Sequence, residues 1–168
     1  MKKIVLFITF ALIGFSSQAQ EGLKVGVNAQ LPVGDTANIY SYGLALDVAY
    51  MLQVSDSFDA GVSFGFTNLF LKNEYKELGF YNAQFFPMAA SGRFNIIDDF
   101  SIGMDLGYAL GLDQGNEGGL YYRPILGYNA FNKGQLNLSY SGISIKDGGF
   151  TFSTINLGIL ISLFCGCS

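Results

Sequence analysis

The chain has 168 residues, of which 50% are hydrophobic and 13% are charged, and its formal net charge is −4 at pH 7. Soluble domains usually carry about 25% charged residues, so half of the ordinary surface charge is missing. The length suits a single domain, and the apolar content excludes a disordered chain. After the N-terminal segment, no run reaches the roughly 18 apolar residues that a membrane-spanning helix needs.

The first 19 residues have the order of a secretory signal peptide. Lys2 and Lys3 precede an apolar run over residues 4–15, and small or polar residues follow up to Ala19. An N-terminal membrane anchor is disfavoured because spanning takes about 20 residues. Removing this segment takes away two of the 9 basic residues and leaves 13 acidic ones, a formal charge of −6. No basic patch remains to attract nucleic acid.

The rest of the chain alternates between bulky apolar residues and small or polar ones. Phe100, Ile102 and Met104, for example, alternate with serine, glycine and aspartate. A period of two with β-favouring residues predicts a strand whose two faces differ. Eight such segments follow one another, at residues 23–31, 42–52, 58–67, 85–95, 100–112, 122–130, 136–140 and 154–163.

The connections alternate in length, which is typical of an up-and-down meander. An even number of strands allows the sheet to close. We therefore predict an all-β, eight-stranded antiparallel up-and-down transmembrane β-barrel over residues 20–164, with a tail at 165–168. Short turns are predicted at residues 54–57, 97–99 and 132–134, and longer loops at 34–41, 68–82, 113–119 and 146–149.

The contents of the two faces favour a membrane barrel over a soluble one. A soluble barrel exposes Lys, Glu and Thr, whereas the second face here holds mainly Gly, Ala, Ser and Asn. Such small residues suit the lumen of a narrow barrel, and the bulky face then meets lipid. In a bilayer only a closed barrel lets a sheet satisfy its own amides.

Aromatic residues cluster near the ends of the predicted strands. We expect them to form two girdles, one at each membrane interface. The group toward the long loops is Tyr40, Tyr42, Tyr81, Phe85, Phe86, Tyr121, Tyr122, Phe150 and Phe152, and the group toward the short turns is Tyr50, Phe58, Phe94, Phe100 and Phe131.

Charged residues on the small-residue face predict a polar network in the lumen. An arginine that faced mid-bilayer lipid would cost about 2–4 kcal/mol. In the favoured arrangement Arg93 reaches Asp59 and Asp105 on the neighbouring strands, and the alternative is a set of independently hydrated side chains. The residues concerned are Lys24, Asp47, Asp59, Arg93, Asp105 and Arg123.

Pro87 and Pro124 lie within two of the predicted strands, near their long-loop ends. Proline cannot donate to a sheet ladder, and a closed barrel offers it no edge. We expect a bulge or an early loss of pairing at each of them.

Several segments resemble one family of membrane barrels. They are FPMAASGRF at residues 86–94, YRP at 122–124, LGY at 126–128 and LSYSG at 138–142, with a leader that ends in QAQ. These segments resemble the PorT-like outer-membrane β-barrel proteins of Bacteroidetes. The resemblance implies a Gram-negative outer-membrane location, surrounding outer-membrane lipid, insertion by the barrel assembly machinery, and a family largely without assigned activity.

Catalytic chemistry has little support in the sequence. The chain contains no histidine, so the commonest general base is missing. Cys165 and Cys167 could supply only two of the four ligands of structural zinc, and a disulfide between them would close a small, strained ring, so an unstructured tail is favoured. We expect no catalytic residue, metal or cofactor.

The favoured function is therefore that of a monomeric, non-catalytic barrel with a role in surface interaction or envelope integrity. An eight-stranded lumen is barely wide enough for side chains, which argues against general porin activity. The alternatives are an accessory of a secretion or assembly system and a soluble lipocalin-like barrel that binds an apolar ligand. The loop at residues 68–82 is either a tip that binds an extracellular partner or, preferably, a projecting strand hairpin.

Overall fold

The computed structural model describes residues 22–76, 81–97, 99–113, 115–131, 134–145 and 149–163. It shows a closed antiparallel barrel in which the strands follow one another in chain order and the first pairs with the last. The predicted eight-stranded up-and-down barrel is confirmed. The strands are β1 Gly22–Val33, β2 Tyr40–Ser55, β3 Phe58–Leu71, β4 Ala83–Ile97, β5 Phe100–Gly111, β6 Gly119–Phe131, β7 Gly134–Ile145 and β8 Thr151–Ser162.

The two ends of the barrel differ in their connections. One end, here called the turn end, carries the short links after β2, β4 and β6, and the other, the loop end, carries the longer links. Two short helices lie at the loop end, α1 Thr36–Ile39 and α2 Asn73–Lys76. Neither of these described helices is long and apolar enough to cross a membrane. The predicted signal peptide and the cysteine tail lie outside the described residues.

The strands extend further toward the loop end than the sequence pattern indicates. β3 continues to Leu71 and β4 begins at Ala83, so residues 68–71 of the predicted loop are strand. These positions still alternate, with Leu69 and Leu71 inside the barrel. The alternation of β3 therefore continues into a segment whose nearby polar residues favour a loop prediction.

Side chains alternate across the barrel wall in the predicted sense. Leu46 and Leu157 expose 56% and 63% of their surface, whereas their neighbours Asp47 and Asn156 expose 7% and 1%. Large exposed apolar side chains occur on all eight strands. The bulky face is therefore the outside of the barrel, and the small and ionic face is its filling.

The two prolines cause a local loss of pairing. The ladder between β3 and β4 lapses at Pro87, and the ladder between β6 and β7 lapses at Pro124, while both prolines stay in register with β5. The register is the same on both sides of each lapse, so no bulge forms and pairing resumes. The register shifts lie instead near strand ends, for example between Tyr40 and Tyr42 of β2.

The long-loop aromatic group divides between the two faces, which corrects the predicted girdle. Phe85 is fully buried and Tyr121 is 5% exposed. Both belong to a group of buried apolar residues, here called the interior cluster, against which Tyr40 and Phe152 pack. Its members are Leu69, Ala83, Phe85, Ala89, Ala109, Tyr121 and Ile143. Phe85 lies inside because it is eight residues before the buried Arg93 in β4, and residues an even number of positions apart point to the same face of a strand. The loop end of the lumen is thus filled by rings, in contrast to the small residues expected there.

Other aromatic residues do lie on the outside at both ends. At the loop end Tyr42 stacks on Phe70 with ring centroids 4.6 Å apart. At the turn end Phe100 packs against Tyr128 at 4.8 Å. Every member of the predicted short-turn group is exposed.

Candidate functional site

The middle of the lumen holds a connected set of ion pairs, here called the charge network, formed by Asp47, Arg93, Asp105 and Arg123. Arg93 Nη1 lies 2.7 Å from Asp105 Oδ1. Arg123 Nη2 lies 2.8 Å from Asp105 Oδ2, and Arg123 Nη1 lies 2.6 Å from Asp47 Oδ2. Asp105 is fully buried, so the two guanidinium groups replace the water that a carboxylate requires.

The charge network joins opposite walls of the barrel. Asp105 of β5 and Arg123 of β6 face each other in register, whereas Asp47 comes from β2, four strands away round the closed sheet. Asn28 of β1 extends the contact by donating from Nδ2 to Asp47 Oδ2 at 2.7 Å. Two positive and two negative side chains therefore bridge the lumen with balanced charge.

Glycines opposite the charged residues make room for them. Gly103 stands opposite Arg93 in the register between β4 and β5, and a Cβ atom there would lie 2.9 Å from Arg93 Nε. Gly65 stands opposite Asp47, and a Cβ atom there would lie 2.9 Å from Asp47 Oδ1. The missing side chain at Gly103 lets the Arg93 side chain lie over β5 and reach Asp105, two residues further along that strand.

The remaining two predicted residues lie nearer the turn end. Asp59 faces Arg93 in the register between β3 and β4, yet the ion pairs of Arg93 and Arg123 run to Asp105 and Asp47. Asp105 is fully buried and Asp59 only half-buried, and a charge pair gains more where water is excluded. Lys24, Asp59 and Arg93 line a common cavity of about 20 Å³.

A second polar group in the lumen was not predicted from the sequence. Hydroxyl and amide side chains of β7 and β8 bond to one another, with Ser141 Oγ and Thr154 Oγ1 2.7 Å apart. Asn156 Nδ2 donates to Ser139 Oγ at 3.3 Å and to Ser141 Oγ at 3.1 Å. Their positions on the inward face of each strand are the available signal, but uncharged hydroxyl and amide side chains do not stand out on a face of small residues.

The lumen around the charge network is closely filled. The two cavities beside the charge network measure about 20 Å³ each, which is room for about one water molecule. Above the network lie the rings of the interior cluster. Among the described residues, no group of three or more His, Cys, Asp or Glu could hold a metal ion. Asp47 and Asp105 are both engaged by arginines in ion pairs.

A larger cavity of about 820 Å³, here called the vestibule, opens at the loop end above the interior cluster. Phe152 joins the two, because its ring lies 4.9 Å from both Phe85 below and Phe150 beside it. Asp113 is an acidic residue of its wall. A carboxylate and several aromatic residues therefore lie together at the open end of the barrel.

Comparison with known proteins shows the fold. No family model and no curated protein matches the chain. The structure is similar to Ail, the attachment invasion locus protein of Yersinia pestis, at 15% identity and a TM-score of 0.58, over 88% of this chain and 100% of that one. It is also similar to Neisserial surface protein A, at 9% identity and a TM-score of 0.52, again over 88% and 100% of the two chains.

A designed protein is similar in the same way. A de novo transmembrane β-barrel matches at 12% identity with a TM-score of 0.54, over 88% of this chain and 98% of the designed one. At such identities the likeness establishes the fold and leaves the activity open. The chain therefore has the closed-barrel fold found in small transmembrane barrels.

Proposed function

We propose that this chain is a small integral protein of a Gram-negative outer membrane, which acts without catalysis through its exposed loops or by supporting envelope integrity. The observation that carries the proposal is the belt of bulky apolar side chains around a closed barrel with a filled lumen. That belt includes residues of every strand. A monomeric soluble protein rarely exposes an apolar patch above a few hundred Å², so the belt calls for a lipid environment.

The soluble, ligand-binding barrel fits this structure poorly. It requires large apolar side chains inside and a charged outside. Here the middle of the lumen holds ion pairs, and Leu106 and Leu138, in the middle of their strands, point outward. The inward apolar cluster that contains Leu69 and Phe85 lies at the loop end, and Met51 and Ile125 are buried apolar side chains outside it.

Surface interaction is supported by the shape of the loop end. The vestibule opens there, and the described part of the long loop after β3 presents Lys72, Glu74 and the short helix α2. The names of two structural neighbours describe an attachment protein and a surface protein. The PorT-like segments support a Bacteroidetes-type barrel, exported by a signal peptide at residues 1–19 and inserted as a monomer by the barrel assembly machinery.

The location and the barrel state can be tested together. After expression with its own leader in a Gram-negative host, we expect the protein in the outer-membrane fraction, extractable only with detergent. Unheated samples should migrate differently from boiled ones in SDS, because the closed sheet resists the detergent until it is heated. Recovery in the soluble periplasmic fraction, with mobility unaffected by heating, would contradict the proposal.

A further inference from the structure

The vestibule has the volume of a small-molecule site. Its volume of about 820 Å³ falls in the range of about 300–1,000 Å³ typical of small-molecule pockets. Its floor is fixed by ring packing, since Phe152 contacts Phe85, Phe150 and Tyr40 at centroid distances of 4.9, 4.9 and 5.9 Å. The floor is thus a rigid aromatic surface at the mouth of the barrel.

The wall adds a fixed negative charge. Asp113 Oδ2 accepts a hydrogen bond from the Gln84 backbone N–H at 2.6 Å, which holds the carboxylate at the cavity. The described residues that line the vestibule include no lysine or arginine. The described parts of the four long connections hold four acidic residues, Asp35, Glu74, Asp113 and Glu117, against two lysines, Lys72 and Lys76. The electrostatic potential at this mouth therefore favours a cation.

Aromatic rings beside a carboxylate are the surroundings that suit a bulky organic cation. A quaternary ammonium is attracted by ring faces and needs no hydrogen-bond donor or acceptor. The lining includes Asp113, which contributes the charge. It also includes four aromatic residues, which are Tyr40, Tyr81, Phe150 and Phe152. We propose that the vestibule binds a small organic cation of the quaternary-ammonium class. This goes beyond the proposed function, because it depends on the cavity and not on the surrounding membrane.

Choline and its neutral analogue 3,3-dimethylbutan-1-ol are the probes that test this site. The full mature chain is studied in maltoside micelles, because phosphocholine detergents carry the headgroup in question. We expect saturable choline-induced shifts of the Ala83 and Gln84 amide resonances, and binding about ten-fold tighter than that of the alcohol. Equal binding of the two probes, or shifts that do not saturate, would overturn the proposal.

A pair of variants distinguishes binding at a defined site from general attraction of a cation to the acidic loop end. Asp113→Asn keeps an oxygen for the Gln84 N–H but removes the charge, and we expect it to weaken choline binding about five-fold. Asp35→Asn is the control, since Asp35 is an exposed acid at the same end that makes no side-chain cap bond to α1. An equal loss from both changes would show non-specific attraction and overturn the proposal.

A third pair tests the ring. Tyr81 is 84% exposed, so its replacement disturbs little packing. We expect Tyr81→Leu to weaken choline binding about three-fold and Tyr81→Phe to retain it. If neither Tyr81→Leu nor Asp113→Asn weakened choline binding, neither the ring nor the charge would contribute, and the proposal would be overturned. Heat-modifiable mobility of the same samples reports separately on the barrel, so a failure here is distinct from a failure of the proposed function.

Discussion

Replacing Leu157 with arginine is expected to lower the free energy of unfolding in lipid bilayers by about 2–4 kcal/mol. Leu157 lies in the middle of β8 and is 63% exposed on the outside of the barrel. In lipid, the guanidinium would meet hydrocarbon. Urea titration of the protein folded into vesicles, followed by tyrosine fluorescence, gives the unfolding free energy.

The same substitution near the membrane surface is the control. Leu112 is also exposed but lies just beyond the loop end of β5, so Leu112→Arg should cost no more than about 1 kcal/mol. A dependence on depth is specific to a bilayer. Equal small costs at the two positions would mean that the belt around Leu157 faces water.

Asp105→Asn is expected to destabilise the barrel by about 3–5 kcal/mol, the usual cost of removing one partner from a buried ion pair. Asp105 is fully buried and pairs with both Arg93 and Arg123. The neutral amide would leave two buried guanidinium groups with Asp47 as the remaining anion of the network. The unfolding free energy in vesicles measures this loss.

Asp59→Asn is the matched control, because the chemical change is the same and Asp59 also faces Arg93 in register. Asp59 is half-buried and takes no part in the ion pairs of the charge network. We therefore expect a change within about 1 kcal/mol. If Asp59→Asn destabilised the barrel more than Asp105→Asn, Asp105 would not be the central anion of the network.

The sequence was sufficient to predict the barrel and the sense of its two faces. Each residue step reverses the side of a strand, so the parity of Leu46 and Leu157 fixed them outside and that of Asp47 and Arg123 inside. The even strand count and the alternating connection lengths were enough to predict the order of the strands.

Contacts across the lumen could not be predicted in this way. The alternation along each strand predicts that Asp47 and Arg123 both point inward. Their contact also requires that the two residues lie at the same level along the barrel axis, and this level is set by strand register and strand tilt together. The pairing of Arg93 with Asp105 likewise depends on the space above Gly103. The inward rings of Phe85 and Tyr121 follow parity as well, but their position near strand ends suggested a girdle.

The outward belt can be tested most directly by methyl NMR of the otherwise deuterated protein in lipid nanodiscs. Leu69 and Leu157 are the same residue type on opposite faces, with 1% and 63% of their surface exposed. We predict strong nuclear Overhauser effects from acyl-chain protons to the Leu157 methyl groups and none to those of Leu69. Acyl-chain contacts to Leu69, or water contacts to Leu157, would contradict a barrel whose bulky face meets lipid.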